Sequence, residues 1–176
     1  MIHIDTLDNT VMQLYDSIST KHKHWFDSHG YIDPNSDAEP FTIHTCSLSH
    51  QFPDESRKSI LNSLLLQLGL TDSHTMLSYT EIEGSLTDHT DRLTIGPIRT
   101  LILLSDNAVS VSQDAIAHPY TRGDTLVLDT SRSHSSIITD GSSSQRWLII
   151  EDLESECTSV AQHFLSECVY VPLALQ

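Results

Sequence analysis

The stretch GDTLVLDTSRSHSSIITDGSSSQRWLII, residues 123–150, indicates the fold class of this chain. It contains three short runs rich in aliphatic and β-branched residues, DTLVLD, SSIIT and RWLII, which Gly, Asp and Ser separate. Short strands divided by turn residues, without a helical pattern between them, are typical of antiparallel sandwiches and barrels. The segment therefore predicts consecutive strands of a mainly β domain.

Similar runs begin at about residue 75, namely TMLSYTEI, IRTLILL and AVSVS, whereas the residues before them carry helical signals. Apolar residues recur at helical spacing over residues 60–68, and Gly69 is placed to end that helix. A shorter helix is expected over residues 10–18 and a strand over residues 41–47. We predict one domain, residues 1–176, with helices outside a double sheet: a helix-containing part (1–74), a β core with the metal site (75–152) and a C-terminal segment (153–176).

The charge of the chain excludes several classes of partner. Nine Lys and Arg residues against 24 Asp and Glu residues give a net charge of −15, which repels phosphate backbones and anionic lipids. Nucleic acid and membranes are therefore not expected partners. The three cysteines have unrelated spacings, and the N-terminus lacks the basic and apolar regions of a secretion signal. These features predict a cytoplasmic protein.

Three residues form a candidate metal site. His89 and Asp91 lie two positions apart, so in an extended segment their side chains point to one face. His134 begins a predicted strand, from which its ring can reach the interior of a double sheet. Two imidazoles and one carboxylate on one side of a metal leave the opposite positions open, as in non-haem Fe(II) oxygenases. The alternative is a polar turn, since eleven histidines make chance pairs common.

Arg146 is a candidate for binding the far end of a dicarboxylate that chelates this metal. If residues 139–141 form a three-residue hairpin loop with Gly141 in the left-handed conformation, His134 faces Arg146 across the two strands. Its guanidinium could then hold a carboxylate with paired hydrogen bonds. A two-residue turn would shift the pairing by one position and weaken this geometry.

The order of these residues resembles that of the Fe(II)- and 2-oxoglutarate-dependent dioxygenases. The first matching motif is H-x-D at residues 89–91, and Arg99 follows it at the start of a predicted strand. The later motifs are G-D-x-x-x-x-D-x-x-x-x-H at residues 123–134 and RWLII at residues 146–150. Within that superfamily the chain is most similar to the aspartyl/asparaginyl β-hydroxylase and prolyl hydroxylase-like branches. The resemblance covers about residues 76–152, which is less than half of the sequence.

The resemblance implies a double-stranded β-helix of the jelly-roll, cupin-like class, with Fe(II) as cofactor and 2-oxoglutarate and O2 as co-substrates. His89, Asp91 and His134 would be both the metal ligands and the catalytic centre. Arg146 would bind the far carboxylate of 2-oxoglutarate, with Arg99 and Tyr79 as further co-substrate residues. A carboxylate at position 91 favours hydroxylation over halogenation. The implied substrate is an amino acid or a peptide whose unactivated C–H bond is hydroxylated.

Two alternatives stay open at this point. One is a β-sandwich that binds a partner without catalysis and whose three candidate ligands meet by chance. The other is a cupin-type metalloenzyme that uses no 2-oxoacid, although the close H-x-H-x-x-x-E pattern is missing from the sequence. Metal content tests the first alternative, and succinate production tests the second.

Overall fold

A computed structural model describes residues 4–31, 41–49, 54–70, 75–90 and 98–152. These residues form two α-helices, one short 3₁₀ helix (Lys23–Trp25) and ten strands. The helices are α1 (Ile4–Lys21) and α2 (Glu55–Leu68). The strands are β1 (Asp27–Tyr31), β2 (Phe41–Leu48), β3 (Thr75–Glu83), β4 (Leu86–His89), β5 (Ile98–Leu103), β6 (Val109–Gln113), β7 (Ile116–Tyr120), β8 (Thr125–Asp129), β9 (His134–Ile138) and β10 (Ser144–Asp152).

The strands form two antiparallel sheets whose order defines a jelly roll. One sheet has the order β1-β2-β3-β10-β5-β8 and the other β4-β9-β6-β7. From β3 to β10 the chain changes sheet at most connections, and β3 is hydrogen-bonded to β10. The wound part has four strands in each layer, β3-β10-β5-β8 and β4-β9-β6-β7, with β1 and β2 added at the edge of the first layer. This arrangement is the double-stranded β-helix. The predicted fold class, mainly β with flanking helices, is therefore confirmed.

Two hydrophobic clusters hold the layers together. One cluster fills the barrel between the sheets and includes Trp147, Leu103 and Leu126. The other lies between the outer face of the six-stranded sheet and the two helices, and it includes Leu61, Leu148 and Tyr79. Because strand side chains alternate between faces, each central strand of this sheet contributes to both clusters. The helices thus cover one face of the six-stranded sheet, as predicted.

The elements agree with the expected ones except at three short strands and one helix. Helix α2 ends at Gly69, whose φ of 68° is left-handed, as predicted. Helix α1 is longer than expected, since it begins at Ile4 rather than residue 10. Strands β1, β4 and β7 were not among the predicted runs. Neither α1 nor α2 is both long and apolar enough to cross a bilayer, and the described residues contain no other α-helix.

The expected hairpin between β9 and β10 does not exist, although its loop has the predicted local conformation. Gly141 has a φ of 79°, in the left-handed region. The loop, however, leads from one sheet to the other, because β9 pairs with β4 and β6 while β10 pairs with β3 and β5. The predicted pairing of His134 with Arg146 is therefore wrong.

Candidate metal centre at the barrel mouth

His89 and His134 lie directly opposite each other on β4 and β9. A register shift between Leu86 and His89 places two residues of β4, Thr87 and Asp88, against one residue of β9, Ser135, and this brings His89 opposite His134. The two ring centroids are 4.3 Å apart, and His134 is only 6% exposed. Two residues after His134, Ser136 donates a hydrogen bond to Gln145 on the facing sheet, at 2.7 Å. The His134 side of β9 therefore faces the barrel interior.

Both rings are oriented by their own backbones. Nδ1 of His134 lies 2.8 Å from the carbonyl oxygen of Arg132, and Nδ1 of His89 lies 2.6 Å from that of Thr87. A carbonyl oxygen can only accept, so each Nδ1 carries the hydrogen and each neutral ring keeps its lone pair on Nε2. Histidines that ligate metals are commonly oriented in this way. Two imidazoles oriented in this way are of the ligand type that divalent transition metals such as Fe(II) accept.

The loop before His134 is tied to the turn between β6 and β7. Asp114 donates a backbone hydrogen bond to the carbonyl of Ser133 at 3.0 Å, and its carboxylate forms an ion pair with Arg132. Arg132 is also the residue whose carbonyl accepts from Nδ1 of His134. The surrounding loops thus restrict the rotation of this ring before any ligand binds.

Gln113 connects the histidine pair to the other sheet at the same end of the barrel. It is the strand partner of His134 and is 4% exposed. Its amide nitrogen donates to the carbonyl of Asp129, at the end of β8, over 2.6 Å. Asp129 follows Leu128, which is the strand partner of Arg99 on β5. Arg99 and His134 therefore lie at one end of the barrel, which we call the barrel mouth.

Arg99 faces the interior at the barrel mouth and forms an ion pair with Glu151. Arg99 precedes Leu101 by two residues and Glu151 follows Ile149 by two, and both Leu101 and Ile149 pack on the barrel core. Nε of Arg99 lies 3.0 Å from Oε1 of Glu151, with side chains 24% and 12% exposed. Among the described residues, the mouth thus contains a guanidinium, Arg99, that is already paired with a carboxylate of the protein.

Arg146 lies on the opposite face of the same sheet. It alternates with Leu148 and Ile150, which pack against the helices, so its side chain points away from the barrel interior. Its Nε lies 3.0 Å from Oε2 of Glu81, and its guanidinium carbon lies 5.3 Å from the ring centroid of Tyr15. The structure therefore does not bring Arg146 to the histidine pair.

Tyr79 is also remote from the barrel mouth. Its ring is fully buried in the cluster beneath the helices, and its hydroxyl donates to the carbonyl of Val11 in α1 at 2.9 Å. Burial raises the pKa of Tyr79 above its ordinary value. This side chain fastens α1 to the sheet, and it does not lie beside the two histidines.

Asp91, the third predicted ligand, lies outside the described residues. Within residues 4–31, 41–49, 54–70, 75–90 and 98–152, no group of three His, Cys, Asp or Glu side chains is placed to hold a metal ion. Gln113 and Glu151, which the sequence did not single out, are further polar residues on the interior face. A signal for Glu151 was its spacing of two from Ile149, directly after the apolar residues 147–150.

Comparison with known proteins shows likeness in fold. No protein-family model matches the sequence, and no curated protein matches it. Among solved structures, a cupin 2 conserved barrel domain protein from Rhodopseudomonas palustris has a TM-score of 0.42 at 9% identity, over 72% of this chain and 71% of that one.

Two other solved structures show a similar likeness. A cupin-2 domain containing protein from Shewanella frigidimarina has a TM-score of 0.36 at 13% identity, over 47% of this chain and 74% of that one. A protein of unknown function from Vibrio parahaemolyticus has a TM-score of 0.41 at 8% identity, over 71% of this chain and 96% of that one. The jelly-roll assignment of this chain rests on its own strand order.

Proposed function

We propose that this protein is an Fe(II)- and 2-oxoglutarate-dependent dioxygenase that hydroxylates an unactivated C–H bond of an amino acid or a peptide side chain. The observation that carries the proposal is the facing pair His89 and His134, with both lone pairs on Nε2, at the mouth of a jelly-roll barrel. Asp91, two residues beyond His89, supplies the third ligand. When bound, the iron supplies the activation of O2.

The chain's own residues bind and orient the reactants. His89, His134 and Asp91 would hold the metal, which would supply the site for binding 2-oxoglutarate and O2. Arg99, rather than Arg146, is the cation at the barrel mouth and is the candidate for binding the far carboxylate of 2-oxoglutarate. The apolar side chains behind the mouth, such as Leu101 and Leu128, keep bulk water from the reacting centre.

A second candidate is a metal-dependent jelly-roll enzyme of the cupin type that uses no 2-oxoacid. The observation that favours it is that the described cation of the barrel mouth, Arg99, already has a carboxylate partner. Arg99 is paired with Glu151, and neither Arg146 nor Tyr79 is at that end of the barrel. Both candidates require the same metal ligands and differ in their need for 2-oxoglutarate.

Anaerobic titration with Mn(II), an inert substitute for Fe(II), tests the metal site. We expect one ion to bind the wild-type chain, and His134→Ala to weaken binding by at least about tenfold because a ligand is lost. The matched control is His44→Ala, since His44 lies on the outer face between Ser28 and Glu83. Unchanged Mn(II) affinity in both His134→Ala and His89→Ala would refute the site.

Turnover then separates the two candidate functions. The Fe(II)-loaded protein is incubated in air with 2-oxoglutarate and a panel of amino acids and peptides. We expect succinate to form in proportion to hydroxylated product. A protein that binds metal at His89 and His134 but forms no succinate with any member of the panel favours the cupin-type alternative.

A further inference from the structure

We infer that Glu151 is an internal competitor for the carboxylate-binding site at Arg99, so that a ligand carboxylate binds at the barrel mouth only by displacing it. The inference rests on the proposed role of Arg99 in the function above. It concerns a residue of this chain that the proposed chemistry does not require. Glu151 would thereby determine which carboxylates the site accepts.

The placement of the two side chains supports this exchange. Arg99 and Glu151 sit on neighbouring strands, β5 and β10, which pair antiparallel up to Ile150 and Thr100. Both point to the interior, where their side chains are 24% and 12% exposed. A carboxylate that enters the mouth meets a guanidinium already within 3.0 Å of Glu151. Two carboxylates cannot share this guanidinium without repelling each other at close range.

The competitor has an advantage over any single carboxylate in solution. Glu151 is tethered beside Arg99, so its effective concentration far exceeds that of an untethered ligand. A monocarboxylate must displace it with one contact, whereas a 2-oxoacid with a second carboxylate can also hold the metal at its other end. The net charge of −15 further opposes the approach of anions. The ion pair thus selects for ligands that are anchored at two points.

The structure contains a matched pair for comparison. Arg146 and Glu81 lie in the same sheet with the same Nε to Oε separation of 3.0 Å, but on the face beneath the helices. Glu81→Gln removes the same charge from the same kind of pair at a place that no ligand of the barrel mouth reaches. Comparison with this variant separates the loss of the carboxylate beside Arg99 from the general effect that a less acidic protein has on glutarate affinity.

The test is calorimetric titration of glutarate into the metal-free full chain. Glutarate has both carboxylates but no 2-oxo group, so it reports the carboxylate site without metal or turnover. We expect Glu151→Gln to raise glutarate affinity by at least about tenfold over wild type, because the guanidinium then lacks its competing charge. We expect Glu81→Gln to bind like wild type, and the double variant Arg99→Gln/Glu151→Gln to lose the gain.

Equal affinity of wild type and Glu151→Gln, or an equal gain in Glu81→Gln, would overturn the inference. If Glu151→Gln does not fold, Glu151→Met fills a similar volume without charge and carries the same expectation. The failure of this inference and the failure of the proposed function give different results. If Glu151→Gln gains glutarate affinity but the protein forms no succinate, Glu151 is a competitor and the protein is not a dioxygenase. If succinate forms but Glu151→Gln gains no glutarate affinity, the dioxygenase stands and only the role of Glu151 is wrong.

Discussion

Arg99 and Arg146 are identical side chains in one sheet, and each lies 3.0 Å from a glutamate oxygen. What distinguishes them is the face of the sheet to which each points. Arg99 alternates with the residues of the barrel core, whereas Arg146 alternates with residues beneath the helices. A difference of one position along a strand exchanges the two faces. At the scale of the residue, the face of the sheet on which each arginine lies therefore makes Arg99 a candidate binding group and Arg146 a structural one.

Replacing Arg146 by Ala should therefore affect stability and spare ligand binding. The loss of the ion pair with Glu81 and of the contact with the Tyr15 ring should lower the free energy of unfolding by about 1 kcal/mol. Urea denaturation measures this change. Titration of 2-oxoglutarate into the Mn(II)-loaded protein should give the wild-type affinity for Arg146→Ala and a clear loss for Arg99→Ala. A loss of 2-oxoglutarate affinity in Arg146→Ala at unchanged stability would contradict this assignment.

At the scale of the element, local irregularities place the candidate ligands. The register shift in β4 brings His89 opposite His134. Without that shift, the pairing that starts at Leu86 and Ser136 would not place these two histidines opposite each other. Asp114 and Ala115 have positive φ values of 49° and 66°, so the turn between β6 and β7 forms without glycine. Such a turn lacks the Asn-Gly or Asp-Gly signal of a tight hairpin, which explains why β7 was missed.

Helix α2 has a well-defined cap at each end. The Asp54 carboxylate accepts hydrogen bonds from the backbone nitrogens of Ser56 at 2.8 Å and Arg57 at 3.2 Å. We expect Asp54→Ala to lower the free energy of unfolding by about 1 kcal/mol, since two helix-end donors lose their acceptor. Asp54→Asn should retain most of the stability, because its side-chain oxygen still accepts. Equal denaturation midpoints for Asp54→Ala and wild type would show that this cap does not contribute.

At the scale of the whole molecule, two tyrosines fasten α1 to the barrel. Tyr79 donates to Val11, and the Tyr15 hydroxyl donates to Glu81 at 3.3 Å. Burial, aided by the nearby Glu81 carboxylate, raises the pKa of Tyr15 to about 12. In the unfolded chain a tyrosine ionises near pH 10. The contact between helix and sheet therefore depends on both phenols remaining neutral.

Stability should consequently decline in alkali. Because the folded pKa of these phenols exceeds the unfolded one, their contribution is complete below about pH 10 and is lost as pH rises toward the folded value. Urea midpoints measured from pH 8 to pH 11.5 should fall above pH 10. In Tyr15→Phe the fall should be shallower, since one of the two groups can no longer ionise. An unaltered slope in this variant would exclude Tyr15 as a contributor.

The sequence by itself determined the fold class, most of the strands and the main features of α2, because these depend on periodicity and turn residues that act locally. It also predicted that His89 and His134 approach each other. Only the tertiary structure decided that β9 and β10 belong to different sheets, and which face of the six-stranded sheet points into the barrel. Arg146 and Tyr79 lie on the face beneath the helices, whereas Arg99 and Glu151 lie on the interior face. Strand pairing joins residues distant in the chain, and a loop with the expected conformation can still lead to a different partner.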